Sequence, residues 1–159
     1  MENAVRTYYE APDPYDPAPG DPPAVFLAGG ITGVEDWQRR AAAALGRAGL
    51  IVLNPRRRRF PIDDPAQTPV QIAWEHRHLH LPGVLTMFWF PAGDSDQPIA
   101  LLELGAALDN VLRRLVVGAD PGYRRVEDVR WQTRLARPGE VVHTTLHGTL
   151  HAAQARLCD

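Results

Sequence analysis

Four short runs of this chain are almost wholly apolar: Ala24-Val25-Phe26-Leu27-Ala28, Leu50 to Leu53, Val84 to Phe90 and Leu115 to Gly118. A strand with one wet face alternates polar and apolar residues. A run with no such alternation is buried on both sides. The first run ends in Gly29-Gly30 and the second in Asn54-Pro55, which stop a strand. Between the runs lie helical stretches. Glu35 to Ala48 is alanine-rich with Gly49 as its stop, and Val70 to Leu81 follows a basic, proline-bearing loop from Arg56 to Pro69. Ile99 to Leu112 has Pro98 in its first turn and Asp96 as its expected cap. Val141 to Thr144 reads as a fifth strand, and Thr145 to Leu157 as a last helix. Buried strands alternating with helices predict an α/β fold: a mainly parallel sheet of about five strands with helices on both faces.

Ahead of this pattern, Ala11 to Pro23 holds Pro12, Pro14, Pro17, Pro19, Pro22 and Pro23. So many missing amide donors exclude a helix or a central strand. Residues 1–23 are therefore expected to form an extended arm, disordered or laid across a neighbour, and residues 24–159 the folded domain. A chain of 159 residues suffices for one such domain. Its 17 basic and 19 acidic residues nearly balance, which argues against a nucleic-acid coat or a membrane-surface protein. A single cysteine, Cys158, excludes an intramolecular disulfide. With no signal-like or membrane-spanning run, the expectation is a soluble, cytoplasmic protein.

In open parallel sheets, ligands bind beyond the carboxyl ends of the strands. Three segments fall there: Gly29-Gly30-Ile31-Thr32-Gly33, Asn54-Pro55-Arg56-Arg57, and the loop from Pro91 to Pro98. The glycine loop admits two readings, a tight strand-to-helix turn or a backbone cradle for a phosphate or ribose hydroxyl. It is not a GxGxxG fingerprint, and no dinucleotide cofactor is expected. Arg56 and Arg57 read either as a solvated basic patch or as forked donors to a 5′-phosphate.

Glu103 is the only charge in the run Pro98 to Leu108. At helical spacing it shares a face with Ile99, Ala106 and Ala107, which are expected to point inward. Desolvating a carboxylate is costly unless it is hydrogen-bonded or used. Glu75 repeats the pattern beside Ile72 and Leu79. Both carboxylates lie one element from the same strand, Val84 to Phe90, and two such groups in one pocket suit glycosidic cleavage. The plainer reading is a pair of structural or surface glutamates beside arginines. Histidines recur at i, i+4 (His76 and His80; His143, His147 and His151), but no HExxH or other ligand spacing accompanies them, and no metal is expected. Trp74, Phe88, Trp89 and Phe90 are expected in the core, the alternative being that one ring stacks on a base at the pocket rim.

Taken in order, Val25 to Gly33, Asp36-Trp37-Gln38, Leu53-Asn54-Pro55-Arg56-Arg57, Gln71-Ile72-Ala73-Trp74-Glu75 and Pro98 to Gly105 resemble the nucleoside 2-deoxyribosyltransferase-like family, which includes nucleotide N-glycosidases. Leu102-Glu103-Leu104-Gly105 is the most specific part. The resemblance implies a Rossmann-like, flavodoxin-type domain without a cofactor, in a homodimer or higher oligomer whose sites are completed by a neighbouring subunit. It implies a nucleoside or nucleotide substrate and a nucleophilic glutamate at Glu103. It also implies an acidic residue at Glu75 that orients the base and handles its proton, and a sugar- or phosphate-wrapping loop at Gly29 to Gly33. The sequence departs from the family at two places: Phe26 stands where many members carry a tyrosine, and Gly83 where relatives often have an acidic residue. Cleavage of an N-glycosidic bond is thus the expected activity, with transfer or hydrolysis to follow. The alternative is a nucleotide-sensing domain that kept the pocket and lost turnover.

Overall fold

The computed structural model describes residues 6–158. Among these the order is β1 (Tyr8–Glu10), β2 (Ala24–Gly29), α1 (Trp37–Arg47), β3 (Ile51–Asn54), α2 (Gln67–Leu79), β4 (Leu85–Phe90), α3 (Pro98–Asp109), β5 (Leu115–Ala119), α4 (Val126–Ala136), β6 (Val142–His143) and α5 (Leu146–Cys158). The strands form one six-stranded sheet in the order β1-β3-β2-β4-β5-β6, parallel at every pairing.

Alternate strand residues feed two cores. Phe26, Leu53, Phe88, Phe90 and Val117 face α2, α3 and α4, while Val25, Leu27, Val52, Met87 and Trp89 face α1 and α5. This is the three-layer, doubly wound arrangement that fully apolar strands require. Leaving out β1, the strand order is the flavodoxin one, and the chain reverses its direction of travel between β2 and β4.

The sixth strand comes from the segment predicted as a free arm. Tyr8–Glu10 pairs with β3 in the register Tyr8 with Val52 to Glu10 with Asn54. It lies ahead of the prolines, so they do not oppose it. Beyond it Ala11 and Tyr15 are buried in the core. The chain's own domain, rather than a neighbour, therefore receives this segment.

Other elements shift for identifiable reasons. Helix α2 begins before Pro69, because proline in the first turn gives up an N–H that has no intrahelical partner. Asp36 caps α1 by accepting from the Arg39 amide at 3.2 Å. The residue capping α3 is Gln97 in a left-handed conformation (φ 51°), where Asp96 was expected, and Pro98 opens the helix. Helix α3 ends at Asp109, so Val111 and Leu112 are exposed. Helix α4 was not expected from the sequence.

Candidate active site

Glu75 and Glu103 come from neighbouring helices on one face of the sheet, and their charges interact. Each is half-buried. The inward face of α3 is Ala100, Leu104, Ala107 and Leu108. Of the residues expected inward with Glu103, only Ala107 is; Ala106 and Ile99 are exposed. On α2 the inward residues are Trp74, His78 and Leu79, while Ile72 is exposed. Both carboxylates thus stand at the margin of the core, bordered by open apolar side chains. Ile99 is 62% exposed, Leu102 71% and Ile72 58%.

Burial pushes the Glu103 carboxyl up to about 8; the Glu75 charge adds to this, and Arg113 opposes it. No hydrogen bond is among these influences, so the carboxyl group is near a guanidinium without being locked to it. Arg113 is itself engaged by donating to the Leu79 carbonyl at the end of α2.

Glu75 is also raised by burial, while Gln71 and Arg57 draw it down. Gln71 is the hub of this second cluster. Its Nε2 donates to Glu75 Oε1 and to the Pro55 carbonyl, each at 2.7 Å. Its Oε1 accepts from Arg57 Nε at 2.8 Å. Arg57 also donates to Gln67 at 2.9 Å and stacks over Phe60. The i, i+4 spacing of Gln71 and Glu75 was the available signal for this contact. Arg113 had none, since only the tertiary fold brings the loop after α3 to the end of α2.

The remaining sequence-predicted residues lie in the loops at the strand ends, and several are already engaged. Gly29 is a close-approach glycine: a Cβ there would stand 2.0 Å from the Trp89 carbonyl oxygen. At Gly30 it would stand 2.4 Å from Gln97 Oε1, so this loop is packed onto the start of α3. The Gly30 carbonyl accepts from Trp37 Nε1 and Gln38 Nε2, each at 3.0 Å. Ile31 is half-buried, and Thr32 and Gly33 are exposed. Asn54 is buried, donating to the Tyr8 hydroxyl at 3.0 Å and accepting from the Arg56 amide at 2.9 Å. The Arg56 guanidinium donates to the carbonyls of Glu35 and Val34 and to Gln38 Oε1. It braces the loop ahead of α1.

Beyond the carboxyl ends of β2, β4 and β5 lies a cleft of about 510 Å³, lined by Gly33, Val34, Glu35, Trp89, Pro91, Ala92, Gly93 and Asp120. Neither Glu75 nor Glu103 lines it. The carboxylates carry the more specific chemistry: two half-buried acids, with the Glu75 charge raising Glu103, and an amide and two guanidiniums beside them. The cleft offers space at the switch point, and its size is that of a small-molecule site.

The position where many members carry a tyrosine is filled by Phe26 of β2, whose ring packs 5.9 Å from that of Trp74. Gly83 is exposed in the turn before β4. His76 and His80 stack on one another at 4.2 Å. Among the described residues, no group of three or more His, Cys, Asp or Glu side chains is placed to hold a metal ion, and no helix is long and apolar enough to cross a membrane.

A flavodoxin-like domain with two interacting carboxyl groups on adjacent helices is the class that fold and geometry define. Within that class, a family model described as nucleoside 2-deoxyribosyltransferase like matches residues 22–123, more than half of the chain. This protein belongs to the nucleoside 2-deoxyribosyltransferase-like family. Membership suggests a nucleoside deoxyribosyltransferase-like activity on a small-molecule nucleoside. Comparison with curated proteins gives no match.

Proposed function

We propose that this protein cleaves the N-glycosidic bond of a (deoxy)nucleoside or nucleoside monophosphate through a glycosyl ester on Glu103. The observation that carries the reading is the Glu103–Glu75 pair, since two carboxyl groups that resist joint ionisation tend to hold one proton between them. A Glu103 oxygen bonds to the anomeric carbon as the bond to the base nitrogen breaks. The electron pair leaves with the base, which takes the proton from Glu75. A second base or a water, giving a proton to the Glu75 carboxylate, then attacks the anomeric carbon and frees the Glu103 carboxylate.

Glu103 is ionised when it attacks, so the shared proton belongs on Glu75 in the reactive form. The Gln71 amide holds the Glu75 carboxyl in place for that exchange, and Arg57 in turn holds Gln71. Gly33 in the cleft wall and the exposed Thr32 are the members of the glycine loop open to a sugar or phosphate. Arg57 acts on Glu75 by its charge and through Gln71, while Arg56 acts indirectly by bracing the loop ahead of α1.

The open apolar rim of Ile72, Ile99 and Leu102 supports a homodimer or higher oligomer, in which a second subunit covers the carboxylates and completes the pocket. Free base is followed after incubation with deoxynucleosides and with nucleoside monophosphates. Base release by the wild type is expected to fall by roughly a hundredfold or more in Glu103→Ala. Full activity in that variant, or ligand-induced stabilisation with no base released from any of these compounds, would overturn the proposal.

A further inference from the structure

The family segment begins at residue 22, so the strap formed by residues 6–21 lies outside it. This strap grips the two pieces of chain that meet at Glu75. On the β3 side, the Tyr8 hydroxyl donates to Glu10 at 2.9 Å and accepts from Asn54, and Glu10 Oε2 accepts from the Arg58 amide at 3.1 Å. The loop carrying Arg57 is thus tied down on both sides of that residue. On the α2 side, Trp74 Nε1 donates to the Asp13 carbonyl at 2.7 Å, and the Tyr15 amide donates to His78 Nε2 at 2.9 Å. Arg77 and Asp16 form an ion pair over the same contact. Two of the three residues by which α2 is buried, Trp74 and His78, are therefore bonded to the strap, and Glu75 lies between them in sequence.

The His78 ring has only one compatible protonation state. Its Nδ1 lies 2.6 Å from the Trp74 carbonyl and must donate, while Nε2 accepts from Tyr15 N–H and must carry no proton. A proton on Nε2 would meet the Tyr15 amide hydrogen head-on. We infer that residues 6–21 are a positioning strap for α2 and its Glu75, latched by neutral His78 and released when that histidine is protonated.

The charged and titratable groups around the ring are few. Arg77 on α2 disfavours the imidazolium and Asp16 on the strap favours it, while burial, the largest influence, keeps the ring neutral. The Tyr15 phenol is pushed up to about 12, mainly by burial, so it does not titrate in the same range. Because the folded value lies below the ordinary 6.5, the latch is complete above about pH 6.5 and is lost as pH falls through the lowered value.

The strap's role in positioning Glu75 for catalysis rests on the proposed reaction; the latch itself does not. Hydrogen exchange of the whole chain from pH 5 to 8, corrected for intrinsic rates, reads the amides of residues 8–15 directly. In the wild type their protection is expected to fall about tenfold as pH drops through the histidine titration, the scale of one lost hydrogen bond. His78→Phe is expected to leave them unprotected at every pH. His78→Gln, whose side-chain oxygen accepts without titrating, is expected to hold protection flat. Protection in wild type that ignores pH, or protection in His78→Phe equal to wild type, would overturn the latch. For positioning, Trp74→Phe keeps an aromatic ring and loses the N–H. It should lower kcat for base release about tenfold with KM little changed, and an unchanged kcat overturns that half. A wild type that releases no base but shows the pH-dependent protection would sink the reaction and leave the latch standing.

Discussion

Glu103 draws its chemistry from a conflict between location and neighbours. Burial holds the proton on it, the nearby Glu75 charge reinforces this, and Arg113 works the other way. A carboxyl raised from 4.5 to about 8 favours the folded state below about pH 4.5. It opposes folding progressively as pH climbs to the upper value. The reactive form carries one proton on the pair, so kcat/KM for base release is expected to fall as pH rises through about 8, where the pair loses that proton. A rate that kept rising above that value would show that no proton on Glu75 is needed and would overturn its role as the acid. Carboxyl-carbon NMR titration of Glu75→Gln should show Glu103 ionising at lower pH than in wild type, because the like charge is gone. An unmoved titration would mean that the two groups do not communicate.

Helix α3 is held in register less by its own composition than by one side chain from beyond the next helix. Arg137, at the end of α4, donates to the carbonyls of Ala107, Leu108, Asn110 and Arg113. The last carbonyls of a helix have no internal partner, and a guanidinium satisfies several at once. Arg137→Ala should therefore cost about 2 kcal/mol in urea unfolding, the range for hydrogen bonds to a charged group. A loss within experimental error would show that solvent replaces the guanidinium. At its other end α3 is fixed by packing. Gln97 is left-handed and buried, donates to the Pro91 carbonyl at 2.8 Å, and lies against Gly30, where any side chain would collide with it. The helix bearing Glu103 is thus anchored from β2, β4 and α4 together.

At the scale of the whole molecule, the helices over one sheet face leave Ile72, Ile99, Leu102, Trp131 and Leu135 open. Isolated exposed apolar residues are ordinary, but several on adjacent helices are what the proposed second subunit would cover. Light scattering after size exclusion is expected to give at least twice the chain mass, and Leu102→Glu is expected to shift the protein towards monomer and to lower base release. A wild-type monomer would remove the proposed second subunit. What the sequence determined by itself was the layering: strands apolar at every position must be covered on both sides, so the parallel sheet and its helices could be read from local pattern. It also singled out Glu75 and Glu103, because a charge inside an apolar helical run is conspicuous without any fold. Which neighbours those acids meet was decided by the tertiary structure. Helical spacing gives an angle around an axis, not the angle at which the helix lies on the sheet, so Ile99 and Ile72 turned outward. The arm's docking escaped the local pattern because tolerance of proline depends on which amides need partners. Only the folded sheet shows that Tyr8 to Glu10 lie against an unpaired edge.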